Sequence, residues 1–271
     1  MNKYIIYQGS GGLVHLLGGL VYCCDYIKNK RKYKLIVDIK NHKAFGNYLS
    51  KYFILKNVNY SENYDDIIDI KSYYRIPLSE FEKKNVSYIK EKGYVFDYNN
   101  LQINIGKSLH NIDFNNNIKI YAGHGGNCLS NIIKYVKCNK EIQNKLNQYK
   151  CYDKYVGVHF RNTDRSNDIN NFLKEIKKYK EYKIYLATDD INALHIFKNE
   201  LKDYNLFYYF EPFDANGENI HFNNPDKDNV IMSILIDMYM LYNSNIFIKS
   251  PNSLVSKLVN KMRVSNESIF V

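Results

Sequence analysis

From Tyr155 onward the chain alternates short apolar runs with helical stretches, and this alternation leaves few folds open. The pattern reads as strand 155–160, helix 169–180, strand 183–187, helix 190–199, strand 206–210, helix 228–243, strand 246–249 and helix 252–263. Strands separated by helices pair in parallel through right-handed crossovers, and a parallel sheet must be covered on both faces. Tyr155-Val-Gly-Val-His-Phe160 shows no polar alternation, as expected of a strand buried on both sides. Near the N-terminus, a strand at Lys3–Tyr7, a glycine-rich loop, a helix over Leu13–Asn29 and a strand at Lys34–Asp38 form a further βαβ unit. The expected fold is α/β, with two Rossmann-like domains at residues 1–150 and 151–271 and a polar helix, Glu141–Tyr149, bridging them.

The intervening chain is less regular. Short strands are expected at Tyr52–Leu55, Ile67–Ile70, Val95–Phe96 and Leu101–Ile105, and a helix from an N-cap at Ser79 to about Glu91. Asn117–Tyr121 reads as another strand, followed by the glycine-rich Ala122-Gly-His124-Gly-Gly-Asn127 and a helix from about Cys128. Gly106-Lys107-Ser108 is not the end of a phosphate-binding P-loop, because Leu101 stands where the upstream glycine is needed. Gly9-Ser10-Gly11-Gly12 likewise lacks the third glycine of a dinucleotide fingerprint, although it still lets backbone N–H groups approach a ligand at a helix N-terminus.

Composition narrows the classes of function. A hydrophobic share of 45% with 27 Tyr and 14 Phe supports packed cores and argues against global disorder. The net charge of +10 favours anionic partners such as nucleotides or phosphorylated glycans. The lysines are scattered and no nucleic-acid-binding motif accompanies them, so no nucleic-acid partner is expected. Five cysteines without a Cys-x-x-Cys spacing oppose a disulfide framework or a zinc site and fit a reducing compartment. Gly11–Tyr22 is apolar but carries His15, and it falls short of the roughly 20 residues that span a bilayer. With no signal-peptide features, a soluble cytoplasmic protein is expected.

Three strand ends concentrate reactive groups. After Phe160 come Arg161, Thr163, Asp164, Arg165 and Asp168. Ligands of open α/β sheets sit beyond the carboxyl ends of strands, where Arg161 could hold a phosphate, Asp164 could orient it and Asp168 could act as a base. The alternative is a solvated loop whose charges pair with one another. Thr188-Asp189-Asp190 ends the next strand, and its carboxylates could cap the following helix or hold Arg161 and Arg165. Lys249-Ser250-Pro251-Asn252-Ser253 leads into a helix N-terminus rich in hydroxyl and amide groups, which is either a phosphate site or a simple cap. Asp237 interrupts an apolar helix, so it either meets a ligand with two donors or lies at an exposed edge.

These residues carry a family resemblance. His159-Phe-Arg161-Asn-Thr163-Asp164-Arg165 resembles the His-x-Arg-Arg-Thr-Asp-Lys signature of the α1,6-fucosyltransferases, which include rhizobial Nod-factor and animal core types. Tyr185-Leu-Ala-Thr-Asp-Asp190 and Gly9-Ser10-Gly11 with His15 resemble two further segments of that family. Asp237 and Ser253 are similar to it in type and spacing. The resemblance implies a GT-B fold, two Rossmann-like domains facing each other across a cleft. It also implies inverting transfer of fucose from GDP-fucose to a glycan hydroxyl, with no metal and no other cofactor.

By the same resemblance, the donor would be bound by Gly9, Ser10, Gly11, Gly12, His15, His159, Arg161, Asp189, Asp190, Asp237, Ser250, Asn252 and Ser253. Arg161, Asp164, Arg165 and Asp168 would serve catalysis, and His124 and Asn127 the acceptor. The chain departs from the family at Asn162, which replaces a second arginine, and at Asp168, one residue short of the family's glutamate. A GT-B transferase using another nucleotide sugar, or a glycan- or nucleotide-binding protein without catalysis, are the alternatives.

Overall fold

A computed structural model describes residues 3–9, 11–29, 33–63, 87–89, 93–98, 101–105, 118–121, 128–151, 153–162, 167–212 and 224–270. The chain divides into two compact units, residues 1–42 with 46–137 and residues 43–45 with 138–271.

In the first unit, β1 (Lys3–Tyr7) leads through the glycine loop into α1 (Leu13–Asn29) and then β2 (Tyr33–Val37). A 3₁₀ turn (Leu49–Lys51), β3 (Phe53–Leu55) and β4 (Tyr60–Ser61) follow. Strands β5 (Ser87–Ile89), β6 (Gly93–Tyr98) and β7 (Leu101–Ile105) form an antiparallel meander. Strand β8 (Ile118–Tyr121) returns to the main sheet, and α2 (Leu129–Tyr135) precedes β9 (Val136–Cys138), which pairs with β3. The main sheet runs β4-β2-β1-β8, parallel throughout. Ile5 and Ile6 of β1 are inaccessible to solvent, as are Leu17, Leu20 and Val21 of α1. The partly buried Asp25 carboxylate ties α1 to α2, accepting from Tyr135 Oη at 2.6 Å and from Asn131 Nδ2.

The second unit contains α3 (Lys140–Asn147), β10 (Tyr155–Phe160), α4 (Ile169–Ile176), β11 (Lys183–Thr188), α5 (Ile191–Glu200) and β12 (Leu206–Phe207). It closes with α6 (Lys227–Asn243), β13 (Ile246–Ile248) and α7 (Leu254–Ser265). Its parallel sheet runs β12-β11-β10-β13. Strand β10 is buried along its whole length, and its two faces have different jobs. Val156, Val158 and Phe160 pack into an apolar core with Phe172, Ile176 and Phe197 of α4 and α5. The alternate residues turn the other way: Tyr155 Oη donates to Met240 O of α6 at 2.7 Å, and His159 Nδ1 lies 2.7 Å from Ser256 Oγ of α7. Between them, Gly157 is the residue the packing requires. A Cβ there would stand 2.9 Å from both Cβ and Oγ of Ser244, in the turn after α6.

Three expectations are revised. Residues 87–89, placed at the end of a helix in the sequence reading, form a strand of the meander. Strand β12 stops at Phe207, although a strand was expected to continue to residue 210. The last helix begins at Leu254, because Ser253 is its N-cap. Among the described residues no helix is long and apolar enough to cross a membrane.

Candidate functional site

Strands β10 and β13 are neighbours, yet the chain leaves β10 toward β11 on the opposite side. That reversal of strand order opens a crevice beyond their carboxyl ends. Ser250, just past β13 and 1% exposed, stitches the two ends together. Its Oγ accepts from Arg161 N at 2.9 Å and donates to His159 O at 2.8 Å. Its own N–H donates to Ser256 Oγ at 3.1 Å, the same hydroxyl that meets the His159 ring. Ser253 caps α7 by accepting from Ser256 N at 3.4 Å. The backbone that carries Arg161 is therefore pinned to the N-terminus of α7, whose dipole favours an anion.

The end of β11 fixes the Arg161 side chain. Asp189 Oδ2 lies 3.3 Å from Arg161 Nη1, and its Oδ1 accepts from Asn162 N at 2.8 Å. Asp190 divides its oxygens differently. Oδ1 caps α5 by accepting from Asn192 N and Ala193 N, and Oδ2 accepts from Asn162 Nδ2 at 2.7 Å. Of the two roles foreseen for this pair, holding the arginine falls to Asp189 and capping the helix to Asp190. Asn162 locks the loop after β10 onto β11, and its Oδ1 also accepts from Asn167 N at 3.2 Å.

A pocket opens from this junction, walled by the strand ends, α6 and the segment after β12, with an empty volume of about 970 Å³ including its mouth. Arg161, Asp189 and His159 line it, and Asn229, Ser233 and Asp237 project from one face of α6 at four-residue intervals. Burial pushes the Asp237 carboxyl up to about 7, against the Tyr185 hydroxyl, which donates to Oδ1 at 2.5 Å and favours the charged form. The neighbouring Asp189 adds to the rise. Burial also holds the His159 imidazole down to about 4, so it is neutral at physiological pH; Arg161 pushes the same way and Asp189 opposes. The pocket thus offers a guanidinium beside a helix N-terminus, a neutral imidazole and a deep carboxylate. Among the described residues no group of three or more His, Cys, Asp or Glu side chains could hold a metal ion.

Other sequence-predicted residues lie elsewhere. Asp168 is exposed and caps α4, accepting from Asn170 N at 2.9 Å, and it does not line the pocket. Asn252 is exposed in the turn before α7. Ser10, Asp164, Arg165, His124 and Asn127 lie outside the described residues. In the first unit, Gly9 and Gly11 adopt φ of 72° and 73°, left-handed backbone that favours glycine, and with Gly12 they lead into α1. The loop starts at the sheet's own reversal point, where Gln8 N donates to Tyr121 O at 3.0 Å, and His15 is exposed on the first turn of α1.

Sequence reasoning passed over Tyr185, Asn229, Ser233 and Ser256. The four-residue spacing of Asn229, Ser233 and Asp237 within an apolar helix was a readable signal. Ser256 carried none.

No protein-family model matches the chain, nor does the sequence of any curated protein. Solved structures do share its fold. The NodZ α-1,6-fucosyltransferase soaked with GDP-fucose aligns over 96% of this chain and 92% of its own, with a TM-score of 0.61 at 15% identity. NodZ from Bradyrhizobium aligns over the same shares at the same TM-score and identity. A variant of Arabidopsis thaliana FUT1 in complex with GDP aligns over 97% of this chain and 69% of its own, with a TM-score of 0.57 at 10% identity. POFUT1 in complex with GDP-fucose covers 97% and 95%, with a TM-score of 0.52 at 10% identity. The chain shares the α/β, GT-B-type fold of these fucosyltransferases.

Proposed function

We propose that the chain is an inverting fucosyltransferase that moves fucose from GDP-fucose to a glycan hydroxyl without a metal. The observation that carries this reading is the pocket at the β10–β13 junction. Its lining brings a clamped arginine, the first turn of α7 and the Asp237 carboxylate together, groups that complement a diphosphate and a guanine. The fold it shares with structures holding GDP or GDP-fucose supports the same donor.

In this reading Arg161 and the N-terminus of α7, capped by Ser253, hold the diphosphate. Asp189 aims Arg161, and Asp237 accepts from the N1–H and 2-amino groups of guanine beside His159. An acceptor hydroxyl, deprotonated by Asp168 or Asp164, attacks the anomeric carbon as the bond to the phosphate oxygen breaks. GDP leaves with the bonding pair, its charge met by Arg161, Arg165 and the helix dipole. Residues 1–150 would form the acceptor-side domain, with His124 and Asn127 serving the acceptor and the Gly9–Gly12 loop and His15 serving the donor, and residues 151–271 the donor domain. The five cysteines are all unpaired, which fits work in the cytoplasm.

A GDP-binding protein without transfer is the second reading, favoured by Asn162, whose amide is committed to Asp190 where the family has a second arginine. Thermal shift with GDP, UDP, ADP and CMP tests the donor. GDP at about 100 times its dissociation constant adds about 2.7 kcal/mol, a rise of roughly 5–10 °C for a protein of this size. The rise should be specific to GDP and lost in Asp237→Ala. A rise with UDP alone discards guanine recognition, and no rise with any nucleotide overturns the site. Acceptor-dependent release of GDP from GDP-fucose then separates a transferase from a binder.

A further inference from the structure

Tyr185 lies in the middle of β11, inaccessible to solvent, on the sheet face that α6 covers. Its ring is set among Tyr155, Phe207 and Tyr209, at centroid distances of 6.5, 5.2 and 5.7 Å. Among the described residues the hydroxyl has one partner, Asp237 Oδ1 at 2.5 Å. Filling this space requires only an aromatic ring, and phenylalanine would supply one. A buried hydroxyl is unfavourable unless it is bonded, so its presence here is explained by the carboxylate it meets.

An ionised carboxylate has about four lone-pair directions, and Tyr185 uses one of them on Oδ1. Among the described residues, one on Oδ1 and both on Oδ2 remain for a ligand, enough for two parallel donors. Resting on the reading of Asp237 as the guanine acceptor, we propose that Tyr185 is the positioning residue of the base subsite. It donates to Oδ1, holds the Asp237 carboxylate in one orientation and keeps it charged, so that guanine is chosen over bases without a two-donor edge.

The groups around Asp237 make Tyr185 the relevant one. From the end of β11, Asp189 opposes a second negative charge. From β10 and its end come the neutral His159 and the Arg161 already paired with Asp189, and Glu211 reaches the pocket after β12. The α7 contribution to the wall is the apolar Val255. The Tyr185 hydroxyl is the hydrogen-bond donor that favours the ionised form. Its removal therefore shifts the protonation of Asp237 to higher pH.

The test uses Tyr185→Phe in the full chain, with two readouts. Aspartate ¹³Cγ resonances followed against pH in the free protein give the Asp237 midpoint, expected near 7 in the parent and higher in the variant. Dissociation constants for GDP and IDP, which lacks the 2-amino group, are then measured from pH 6 to 9. Tyr185→Phe should bind GDP about tenfold more weakly at pH 7, recover most of that loss at pH 9, and discriminate less between GDP and IDP. Asp237→Asn keeps an oxygen for the Tyr185 hydroxyl but not the charge, and should bind GDP weakly at every pH.

A merely structural tyrosine predicts a loss independent of pH with the midpoint unmoved, and that result overturns the inference. So does a variant whose midpoint and pH profile match the parent's while Asp237→Asn abolishes GDP binding; the donor reading then survives. A parent that binds no GDP at any pH removes the donor reading, and this inference with it.

Discussion

Asp237 shows how one side chain sets stability against binding. Its carboxyl titrates near 7 in the folded chain against about 4 when exposed. Between those values the folded state holds a proton that the unfolded state has released, so stability falls as pH rises through this window and levels off above it. Asparagine removes the titration. In the absence of nucleotide, Asp237→Asn should exceed the parent in stability at pH 8 by on the order of 1–3 kcal/mol, with the difference vanishing toward pH 4. Thermal midpoints collected across pH check this, and a variant no more stable than the parent at pH 8 refutes it. From sequence alone, Asp237 stood out because a carboxylate in an apolar helix needs a partner. The partner, Tyr185, lies 52 positions earlier, and pairing across that distance is decided by how α6 packs on the sheet.

At the level of elements, the packing of β10 against α6 and α7 builds the pocket. Gly157→Ala would drive a methyl to 2.9 Å from the Ser244 side chain, which is 5% exposed and bonded to Leu241 O, so it has no room to yield. A loss of about 1–3 kcal/mol is expected from urea unfolding, and a neutral result would mean that the α6–β13 turn moves freely. Arg263 of α7 closes the C-terminus of α6, donating through Nη1 to the carbonyls of Leu241, Tyr242 and Ser244 at 3.1, 2.8 and 2.6 Å. Arg263→Met should cost about 1–3 kcal/mol and speed amide exchange in the last turn of α6. Unchanged exchange there would show that water satisfies those carbonyls equally well. The apolar run of β10 was legible as a buried strand. Its division into a face of Val156, Val158 and Phe160 and a face of Tyr155, Gly157 and His159 follows from period two, but which helices cover each face is fixed by topology. Local pattern also concealed β9 and the meander strand β5, whose three-residue lengths leave too little periodicity to read.

Across the whole molecule, both main sheets are built to one plan, with the first strand of each inside the sheet and a late strand completing its far side. Alternation of strand and helix was enough to expect this class of fold. The residues between β4 and β8 carried no comparable rhythm; Leu101–Ile105 was legible there as a strand, Ser87–Ile89 was not, and Ile67–Ile70 lies outside the described residues. The plan also has a consequence during synthesis. Strand β10 gains β11 soon after it emerges, but Val158 waits for Ile248, 90 residues later. At about 5–20 residues per second, the ribosome leaves that largely apolar strand with an open edge for roughly 5–18 s. Slower translation lengthens this interval.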